Sequence, residues 1–383
     1  MNRLVLIGNG FDLAHGLKTS YKVFISWYWN QWGYRLLHGL NKTESDGLCS
    51  FTLKDNINLA SWGYVWGFHF KKDDPFEPWD NLKVVNTAMG DRNLCDYTMS
   101  PFLQRICKSV ATKKWVDIEN EYYSLLTEEK MSLNKGVILP DYKELNSHLD
   151  ILKNQLIEYL KFESKKETTV IKEIKDKIYR PILKREIAVG SNSYYDFRTE
   201  DENPPSRIMI LNFNYTKTPE LYRTKKVDPT IIYIHGRLDD PDSVIFGYGD
   251  ELDSGFQKLK NLNENECLRH IKSIRYLESD NYRRMLEFIE SAPFQICIMG
   301  HSCGNSDRTL LNTLFEHPNC VSVKPYYYKE KDGADHYLDM VQNICRNFTD
   351  MKLMRNRVVT KVYCEPLTEP KKEENNEETD EIK

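Results

Sequence analysis

The sequence predicts an α/β fold in which a mainly parallel, doubly wound sheet is interrupted by a large, mainly helical insertion. Three observations predict this fold. Short apolar runs rich in β-branched residues occur at the start of the chain and again after residue 205. Helix-like stretches separate several of the later runs, and strands that alternate with helices favour parallel pairing. Charged segments with apolar residues at helical spacing lie between the two groups of strands.

The first predicted strand, Arg3–Ile7, ends directly in a glycine-rich turn. Glycines after a buried strand let the backbone approach a ligand closely, and a following helix can add to a site for nucleotide phosphates. The dinucleotide fingerprint G-x-G-x-x-G is incomplete, because Leu13 stands where the third glycine would be. We still predict that a nucleotide contacts this turn and its continuation: Gly8, Asn9, Gly10, Phe11, Asp12 and Gly16. Alternatively, the Asp12 carboxylate bonds only to backbone amides of the turn.

Residues 27–205 form the predicted insertion, and residues 1–26 with 206–364 form a Rossmann-like core. Helical periodicity predicts the following helices in and beside the insertion: Tyr21–Tyr34, Val116–Leu126, Asp141–Phe162 and Lys165–Val189, the last kinked or split at Pro181. The composition of residues 37–99, rich in Asn, Asp, Gly, Trp and Phe, predicts an irregular segment, either a packed surface loop or a lid over the site. Residues 365–383 hold eight acidic residues and three lysines, and we predict that this tail is disordered.

The second half of the chain predicts six more strands, with helices among them. The strands are Arg207–Leu211, Thr230–Ile234, Val244–Phe246, Phe294–Met299, Val321–Tyr328 and Val358–Tyr363, and the helices are Asn281–Ser291, Asp307–Glu316 and Ala334–Asn347. Ligands of doubly wound sheets bind at the carboxyl ends of the strands. We therefore expect the functional residues in the segments that directly follow these strands.

Two polar motifs follow predicted strands. Asn212 and Asn214 come at the end of one strand, and their amides could hold a substrate hydroxyl or a water molecule. An asparagine-rich turn with only local hydrogen bonds is the alternative. His235, followed by Gly236, comes after the next strand and is placed for acid–base chemistry near neutral pH. A buried structural histidine is the alternative there.

A third motif, Gly300-His301-Ser302-Cys303-Gly304, fits the G-x-S-x-G pattern of serine hydrolases and also follows a strand. Such a serine would need a histidine and an acid, and the candidate pairs are Asp307 with His317 or Asp332 with His336. Alternatively, this is a glycine-rich turn whose Ser302 hydroxyl and amides face a ligand. On that interpretation Gly300, Ser302 and Asp307 contact the ligand.

Composition excludes several classes of function. The net charge is −4, and because the acidic tail contributes −5, the other 364 residues sum to +1, which gives no basis for tight nucleic-acid binding. Nine cysteines without a C-x-x-C pair favour a reduced cytoplasm and suggest no zinc or other metal site. The mean hydropathy of −0.60 and the lack of a long apolar run argue against a membrane span, and the start of the chain does not suggest a secretory signal.

These motifs together resemble the AbiH family, bacterial proteins associated with abortive infection by phage. The segments that carry the resemblance are LVLIGNGFDLAHGLKTSYKVF at the start, WVDIENEY in the middle, and FNYT, YIHG and MGHSCGNSD in the second half. The order of the motifs is also distantly similar to that of sirtuin-like NAD-consuming domains, whose opening loop has the form G-A-G-x-S-x-x-S-G-I-P. Three glycines fall in that register, whereas Asp12 replaces a serine and Lys18 a proline.

The sirtuin-like resemblance implies roles for the strand-end residues. Asn214 matches the asparagine that holds the nicotinamide ribose and a water molecule, and His235 matches the general base. Gly300 and Ser302 match a turn that contacts ribose, whereas Thr216 stands where those domains have an acidic residue. The zinc-binding cysteine pairs of protein deacylases are absent, which argues against deacylation of an acetyl-lysine peptide.

We therefore expect a cytoplasmic antiphage effector that binds NAD or a related ADP-ribosyl nucleotide and hydrolyses its nicotinamide–ribose bond. His235 and Asn214 would be the catalytic residues, and NAD would be the substrate or ligand, with no further cofactor required. A non-enzymatic nucleotide sensor and a serine hydrolase that uses Ser302 are the alternatives. The helical insertion would gate the site or present a surface to a protein partner or a second copy of the chain.

Overall fold

The computed structural model describes residues 1–38, 43–54, 95–113, 117–128, 130–131, 137–138, 141–191 and 202–370. Most of the predicted irregular segment at 37–99, residues 192–201 near the end of the predicted insertion, and the tail after residue 370 lie outside the described residues.

Strands and helices alternate through most of the described chain. The strands are β1 (Asn2–Ile7), β2 (Thr43–Ser45), β3 (Cys49–Leu53), β4 (Cys95–Met99), β5 (Lys130–Met131), β6 (Val137–Ile138), β7 (Ile182–Leu183), β8 (Glu202–Asn203), β9 (Ile208–Asn212), β10 (Thr230–Tyr233), β11 (Phe294–Met299), β12 (Cys320–Tyr327) and β13 (Glu365–Pro366). The helices are α1 (Asn9–Ala14), α2 (Tyr21–His38), α3 (Pro101–Lys113), α4 (Ile118–Leu126), α5 (Tyr142–Glu163), α6 (Lys172–Tyr179), α7 (Ser254–Lys260), α8 (Lys272–Arg275), α9 (Asn281–Ser291), α10 (Arg308–Phe315), α11 (Tyr337–Arg346) and α12 (Met351–Arg357).

Six parallel strands form the main sheet, in the order β10-β9-β1-β11-β12-β13. Strand β1 lies in the middle, where Leu4 is paired with Met209 of β9 on one side and with Ile296 of β11 on the other. The predicted α/β class and the mainly parallel sheet are therefore confirmed. The smaller sheets, β2-β3-β4, β5-β6 and β7-β8, are antiparallel.

Both faces of the main sheet are covered, which explains why its central strands carry continuous apolar runs, such as Leu4–Ile7, rather than an alternating pattern. Leu4 and Leu6 of β1 pack on one face with apolar side chains of α9, α10, α11 and α12. Val5 and Ile7 point to the other face, where they pack with residues of α1 and α6. All six residues of β1 are buried.

A third apolar cluster joins the insertion to the core of the protein. It contains Phe24 of α2, Tyr122 of α4 and Leu149 of α5, together with Tyr215 and Phe246 from the second half of the chain. Helix α2 starts before residue 27 and ends after it, so one continuous helix crosses the predicted boundary of the insertion. The insertion thus packs directly against the segments that follow the strands.

Buried Arg3 connects the end of the insertion to the central strand. Its guanidinium donates hydrogen bonds to the carbonyl of Ile178 at 2.9 Å and to Gln295 Oε1 at 3.0 Å. The last carbonyls of a helix have no partner within the helix. A cation at the end of α6 therefore supplies a hydrogen-bond donor to them and also interacts favourably with the negative end of the helix dipole.

Several predicted elements were wrong. Val244–Phe246 is buried but irregular, because the turn at Pro241–Ser243 leads it away from the sheet. In the predicted strand Val358–Tyr363, only Val358 makes a β-bridge, and residues 361–363 form a 3₁₀ turn.

The other two corrections concern helical and terminal segments. The predicted helix Lys165–Val189 is interrupted at Pro181, as expected, but only α6 before the proline is α-helical, and Lys184–Glu186 after it form a 3₁₀ turn. Glu365–Pro366, predicted to begin a disordered tail, instead pairs with β12 and extends the sheet.

Two glycines with the same backbone angle provide a matched test of the turn after β10. Gly236 and Gly16 both have φ of +82°. A Cβ at Gly236 would lie 2.1 Å from the carbonyl oxygen of Ser243, whereas a Cβ at Gly16 would have no atom within 4 Å. We expect Gly16→Ala to lower the free energy of unfolding by about 1–2 kcal/mol through backbone strain alone.

Gly236→Ala should lower the free energy of unfolding by about 1–3 kcal/mol more than Gly16→Ala does, because the carbonyl of Ser243 must also move. Urea denaturation of the two variants measures the difference. Equal losses would show that the turn accommodates the methyl group.

Candidate functional site

A cavity of about 470 Å³ opens at the carboxyl edge of the main sheet. It is lined by residues that directly follow four neighbouring strands: Gly8 after β1, Asn214 after β9, His235 after β10 and Gly300 after β11. Parallel strands end at the same edge, so their trailing loops meet there. The insertion contributes to the wall through Asp117, Glu119, Leu156 and Leu160.

Nine of the predicted site residues line this cavity, and four do not. The nine are Gly8, Asn9, Gly10, Asp12, Asn214, His235, Gly300, Ser302 and Asp307. Phe11 is buried against the rings of His15 and Tyr222, at centroid distances of 4.7 and 5.4 Å. Gly16 and Gly236 serve turns outside the cavity wall.

Asn212 is also outside the cavity, because its side chain closes the turn that follows β9. Its Nδ2 donates to the carbonyl of Thr216 at 3.1 Å, and its Oδ1 accepts from the backbone N–H of Asn214 at 3.1 Å. The side chain is fully buried. Asn212 therefore holds Asn214 in place, and of the two asparagines only Asn214 lines the cavity.

The glycine-rich turn after β1 makes close contact with the loop after β11. Gly10 N–H donates to the carbonyl of Gly300 at 2.7 Å, and Phe11 N–H donates to the carbonyl of Gly8 at 2.9 Å. A Cβ at Gly8 would lie 2.5 Å from the Cα of His301. The crossing of the two loops thus requires the glycines and occupies the amide of Gly10, while the amide of Phe11 is occupied within the turn itself, so neither is available to a phosphate.

Asn214 reaches the same turn from the neighbouring strand. Its Nδ2 donates to the carbonyl of Gly8 at 2.9 Å, which leaves the Oδ1 oxygen as an acceptor. The asparagine and the turn are thus linked directly at the edge of the cavity.

A buried group of charges forms another part of the wall. Lys272 Nζ lies 2.9 Å from Glu119 Oε2 and 2.8 Å from Asp307 Oδ1, and the lysine is 1% exposed. Glu119 Oε1 accepts the backbone N–H of Gly247 at 3.1 Å. A buried ion pair persists only where such additional hydrogen bonds satisfy its remaining atoms.

Two histidines face Asp307. His235 Nε2 lies 3.3 Å from Asp307 Oδ1 and 3.1 Å from the hydroxyl of Tyr276. His301 Nδ1 accepts the backbone N–H of Cys303 at 3.0 Å, so its proton is on Nε2, which lies 3.5 Å from Asp307 Oδ2. The carboxylate of Asp307 is therefore surrounded by one lysine and two imidazoles.

Burial and charge set the protonation of this group. Burial, followed by the charge of Lys272, lowers the pKa of His235, so its imidazole is neutral near pH 7 and can accept a proton. Burial acts to raise the pKa of Asp307, but Lys272 and His235 outweigh it and hold that pKa well below its ordinary value. Burial raises the pKa of Glu119 to about 7, against the opposing charge of Lys272.

Asp12 is a further buried carboxyl in the wall, separate from the group around Lys272. Its Oδ2 accepts the hydroxyl hydrogen of Thr216 at 2.7 Å, whereas its buried Oδ1 has no partner. Burial raises the pKa of Asp12 to about 6, although the polar side chains around it, Thr216 first, oppose the shift. An unpartnered buried oxygen beside a cavity is suited to accept a hydrogen bond from a ligand.

Sequence reasoning missed Glu119, Lys272 and His301 as site residues. Glu119 lies in the WVDIENEY segment, which carried the family resemblance but was interpreted only as a helix with acidic residues. His301 lies inside the G-x-S-x-G motif, where a functional role was predicted for the adjacent Ser302 but not for the histidine. Lys272 stands in a segment without a recognisable motif, so no sequence signal could have found it.

The geometry around Ser302 differs from a nucleophile elbow. In such an elbow the serine sits on a strained turn between a strand and a helix. Here the positive backbone angles fall on Gly300 and Cys303, and an extended segment and a 3₁₀ turn precede α10. His317 pairs with Glu290 and His336 with Glu330, so neither histidine has the acid expected for it.

Within the described residues, no group of three histidine, cysteine or acidic side chains is arranged to hold a metal ion. The space between Glu119 and Asp307 is instead occupied by the ammonium group of Lys272.

The fold and the site define an α/β protein with a polar cavity at the carboxyl edge of a parallel sheet, completed by a helical insertion. The chain belongs to the bacteriophage abortive infection AbiH family, whose model matches residues 4–328, so the predicted family is confirmed. No curated protein and no solved structure matches the chain. No helix in the described part of the chain is both long enough and apolar enough to span a bilayer.

Lys272→Met tests the buried charge group. The substitution leaves Glu119 and Asp307 buried without their cation, and we expect the free energy of unfolding at neutral pH to fall by about 3–5 kcal/mol. Adding Glu119→Gln should recover part of that loss, because one unpaired charge is then removed. Urea denaturation measures both effects.

Lys361→Met is the matched control for Lys272→Met. Lys361 also pairs with an aspartate, Asp335 at 2.9 Å, but on the surface, so its loss should cost less than about 1 kcal/mol. A similarly small cost for Lys272→Met would contradict the arrangement.

Asp12 should make stability depend on pH. Its pKa is about 6 in the folded protein against a reference value of 3.8, so the folded state binds the proton more tightly. Stability should therefore fall as the pH rises from about 4 through about 6, by about 3 kcal/mol in total. Asp12→Asn should remove this pH-dependent loss of stability. Asp242→Asn, at an exposed position, should leave it unchanged. Urea denaturation across this pH range gives the comparison, and parallel curves for wild type and Asp12→Asn would refute the assignment.

Proposed function

We propose that this AbiH protein acts in phage abortive infection by binding NAD or a related ADP-ribosyl nucleotide and hydrolysing its nicotinamide–ribose bond. Family membership supports the role in abortive infection. The observation that carries the enzymatic proposal is that Asn214 and His235 line one cavity together with the turn at Gly8–Gly10.

The topology of the sheet supports a nucleotide ligand. Numbered along the chain, the six strands lie in the order 3-2-1-4-5-6, which is the order of doubly wound dinucleotide-binding folds. In such folds the ligand lies in the crevice where the strand order reverses, here between β1 and β11. The cavity is at that position, and its volume of about 470 Å³ is within the range of small-molecule sites.

The chemistry of the wall suits hydrolysis of an N-glycosidic bond. The bond between ribose C1′ and the pyridinium nitrogen would break with its electron pair going to the ring, so that neutral nicotinamide leaves. The oxygen of a water molecule would bond to C1′, and the water proton would pass to neutral His235. The products are nicotinamide, ADP-ribose and a proton. Asn214 Oδ1, which remains available as an acceptor, would orient the ribose or the water.

The unpartnered oxygen of Asp12 supports a ligand with hydroxyl groups. Asp12 Oδ1 is buried at the cavity wall beside Asn214, and a ribose hydroxyl could donate to it. The free thiols support a reducing cytoplasm, since the eight cysteines whose side chains the structure describes form no disulfide among themselves.

Release of nicotinamide from NAD tests the proposal. We expect wild-type protein to release nicotinamide and His235→Ala to be slower by about 10²- to 10⁴-fold, which is the usual contribution of a positioned general base. Asn214→Ala should also be slower, because the ribose and water lose their orientation. Equal release from all three proteins would refute these roles.

His317→Ala serves as the matched histidine control. His317 packs against Phe294, the first residue of β11, so it lies at the opposite edge of the sheet from the cavity. Its loss should leave release unchanged. Thermal stabilisation by ADP-ribose without any turnover of NAD would instead indicate a nucleotide sensor.

A further inference from the structure

Asp307 has little capacity left for a ligand. Its Oδ1 lies 2.8 Å from Lys272 Nζ and 3.3 Å from His235 Nε2, and its Oδ2 lies 3.5 Å from His301 Nε2. The side chain is 10% exposed, so the carboxylate touches the cavity only at its margin. Its contacts are therefore mainly with other side chains of the wall.

The lysine that binds Asp307 is held from the opposite side by the insertion. Glu119 stands in the first turn of α4, and both of its oxygens are bonded, one to Lys272 and one to the N–H of Gly247. The turn itself is fixed, because the N-cap residue Asp117 accepts the backbone N–H of Asn120 at 3.0 Å. A continuous series of contacts thus runs from the insertion to the imidazole of His235.

We propose that Asp307 is a positioning residue for His235, and that Glu119 of the insertion holds Asp307 in place through Lys272. This inference rests on the proposed function, because it assigns His235 the role of the base. It changes the predicted role of Asp307 from a ligand contact to a group that acts through His235. It also makes the insertion part of the catalytic arrangement.

The series of contacts explains how a buried imidazole keeps one orientation. The contacts of His235 Nε2 with Asp307 at 3.3 Å and with the hydroxyl of Tyr276 at 3.1 Å together fix the ring, and Asp307 supplies the negative charge, as an aspartate does for histidine in other acid–base sites. Lys272 balances the aspartate charge, which would otherwise be buried alone. Glu119 in turn limits where Lys272 can lie. Displacement of α4 would therefore release Lys272, Asp307 and the base in succession.

Asp307→Asn tests the positioning role, because it keeps the shape of the side chain and removes its charge. We expect kcat for nicotinamide release to fall by about 10²- to 10⁴-fold, while KM changes by less than about threefold. A ligand contact would show the opposite pattern, with a raised KM and a nearly unchanged kcat, and that result would overturn the inference.

The imidazole of His235 supplies a measurement that needs no turnover. The charged groups that face it are Asp307, which favours the imidazolium, and Lys272, which favours the neutral ring, as does His301. The other facing rings, Phe213 and Tyr276, are uncharged. NMR titration of nitrogen-15-labelled histidine should therefore show the His235 signal titrating at lower pH in Asp307→Asn than in wild type.

Glu119→Gln tests the contribution of the insertion, with Glu121→Gln as its control. Glu121 lies on the same helix but bonds to Ser109 and does not line the cavity. We expect Glu119→Gln to lower kcat by about tenfold at constant KM, because Lys272 loses one of its two partners, and Glu121→Gln to leave kcat unchanged. If the two substitutions changed kcat equally, Glu119 would have no specific effect on the base, and the proposed role of the insertion would be wrong.

The outcomes separate this inference from the proposed function. If wild-type protein releases no nicotinamide but Asp307→Asn still moves the His235 titration, the enzymatic proposal fails and the contact between the two residues stands. If wild type is active and Asp307→Asn, folded by its unfolding midpoint, changes neither kcat nor the titration, the positioning role is wrong.

Discussion

The close crossing of two loops is the constraint on which the site depends. The turn after β1 and the loop after β11 touch through their backbones, with Gly10 N–H bonded to the carbonyl of Gly300 at 2.7 Å. Any side chain at Gly300 would place its Cβ 2.1 Å from the backbone nitrogen of Phe11. Only with glycines at this crossing can the two central strands end side by side. The segments bearing Asn214 and His235 are then close enough to share one cavity.

Much of the sheet could be predicted from the sequence, because strands buried on both faces carry uninterrupted apolar runs. The runs around Leu4, Ile210 and Ile296 are of this kind, and all three lie in the central strands. The same reasoning was wrong for Val244–Phe246, which is equally apolar and buried but joins no strand. The local composition of a segment indicates whether it is buried. Whether it pairs with another strand depends on the path of the chain before and after it.

The buried charge group around Lys272 could not be predicted from the sequence. Lys272 and Glu119 are 153 residues apart, and neither has a local pattern that distinguishes it from a solvated charge on a helix. Their pairing follows from the docking of the insertion beside the strand ends, which no periodicity or spacing encodes. The strand-end residues Asn214 and His235 could be placed because topology alone brings them to one edge. The residues that support them could not.

Helix α2 runs from the wall of the cavity into the apolar core of the insertion. Its first turn, at Tyr21 and Lys22, forms part of the cavity wall, and its 18 residues then extend for about 27 Å into the insertion. A stiff rod of this length converts a small tilt at one end into a displacement at the other. If a ligand bound at the far end of α2 and tilted the helix, the affinity for a small molecule in the cavity would change, and by linkage the small molecule would change the affinity of that ligand by the same factor.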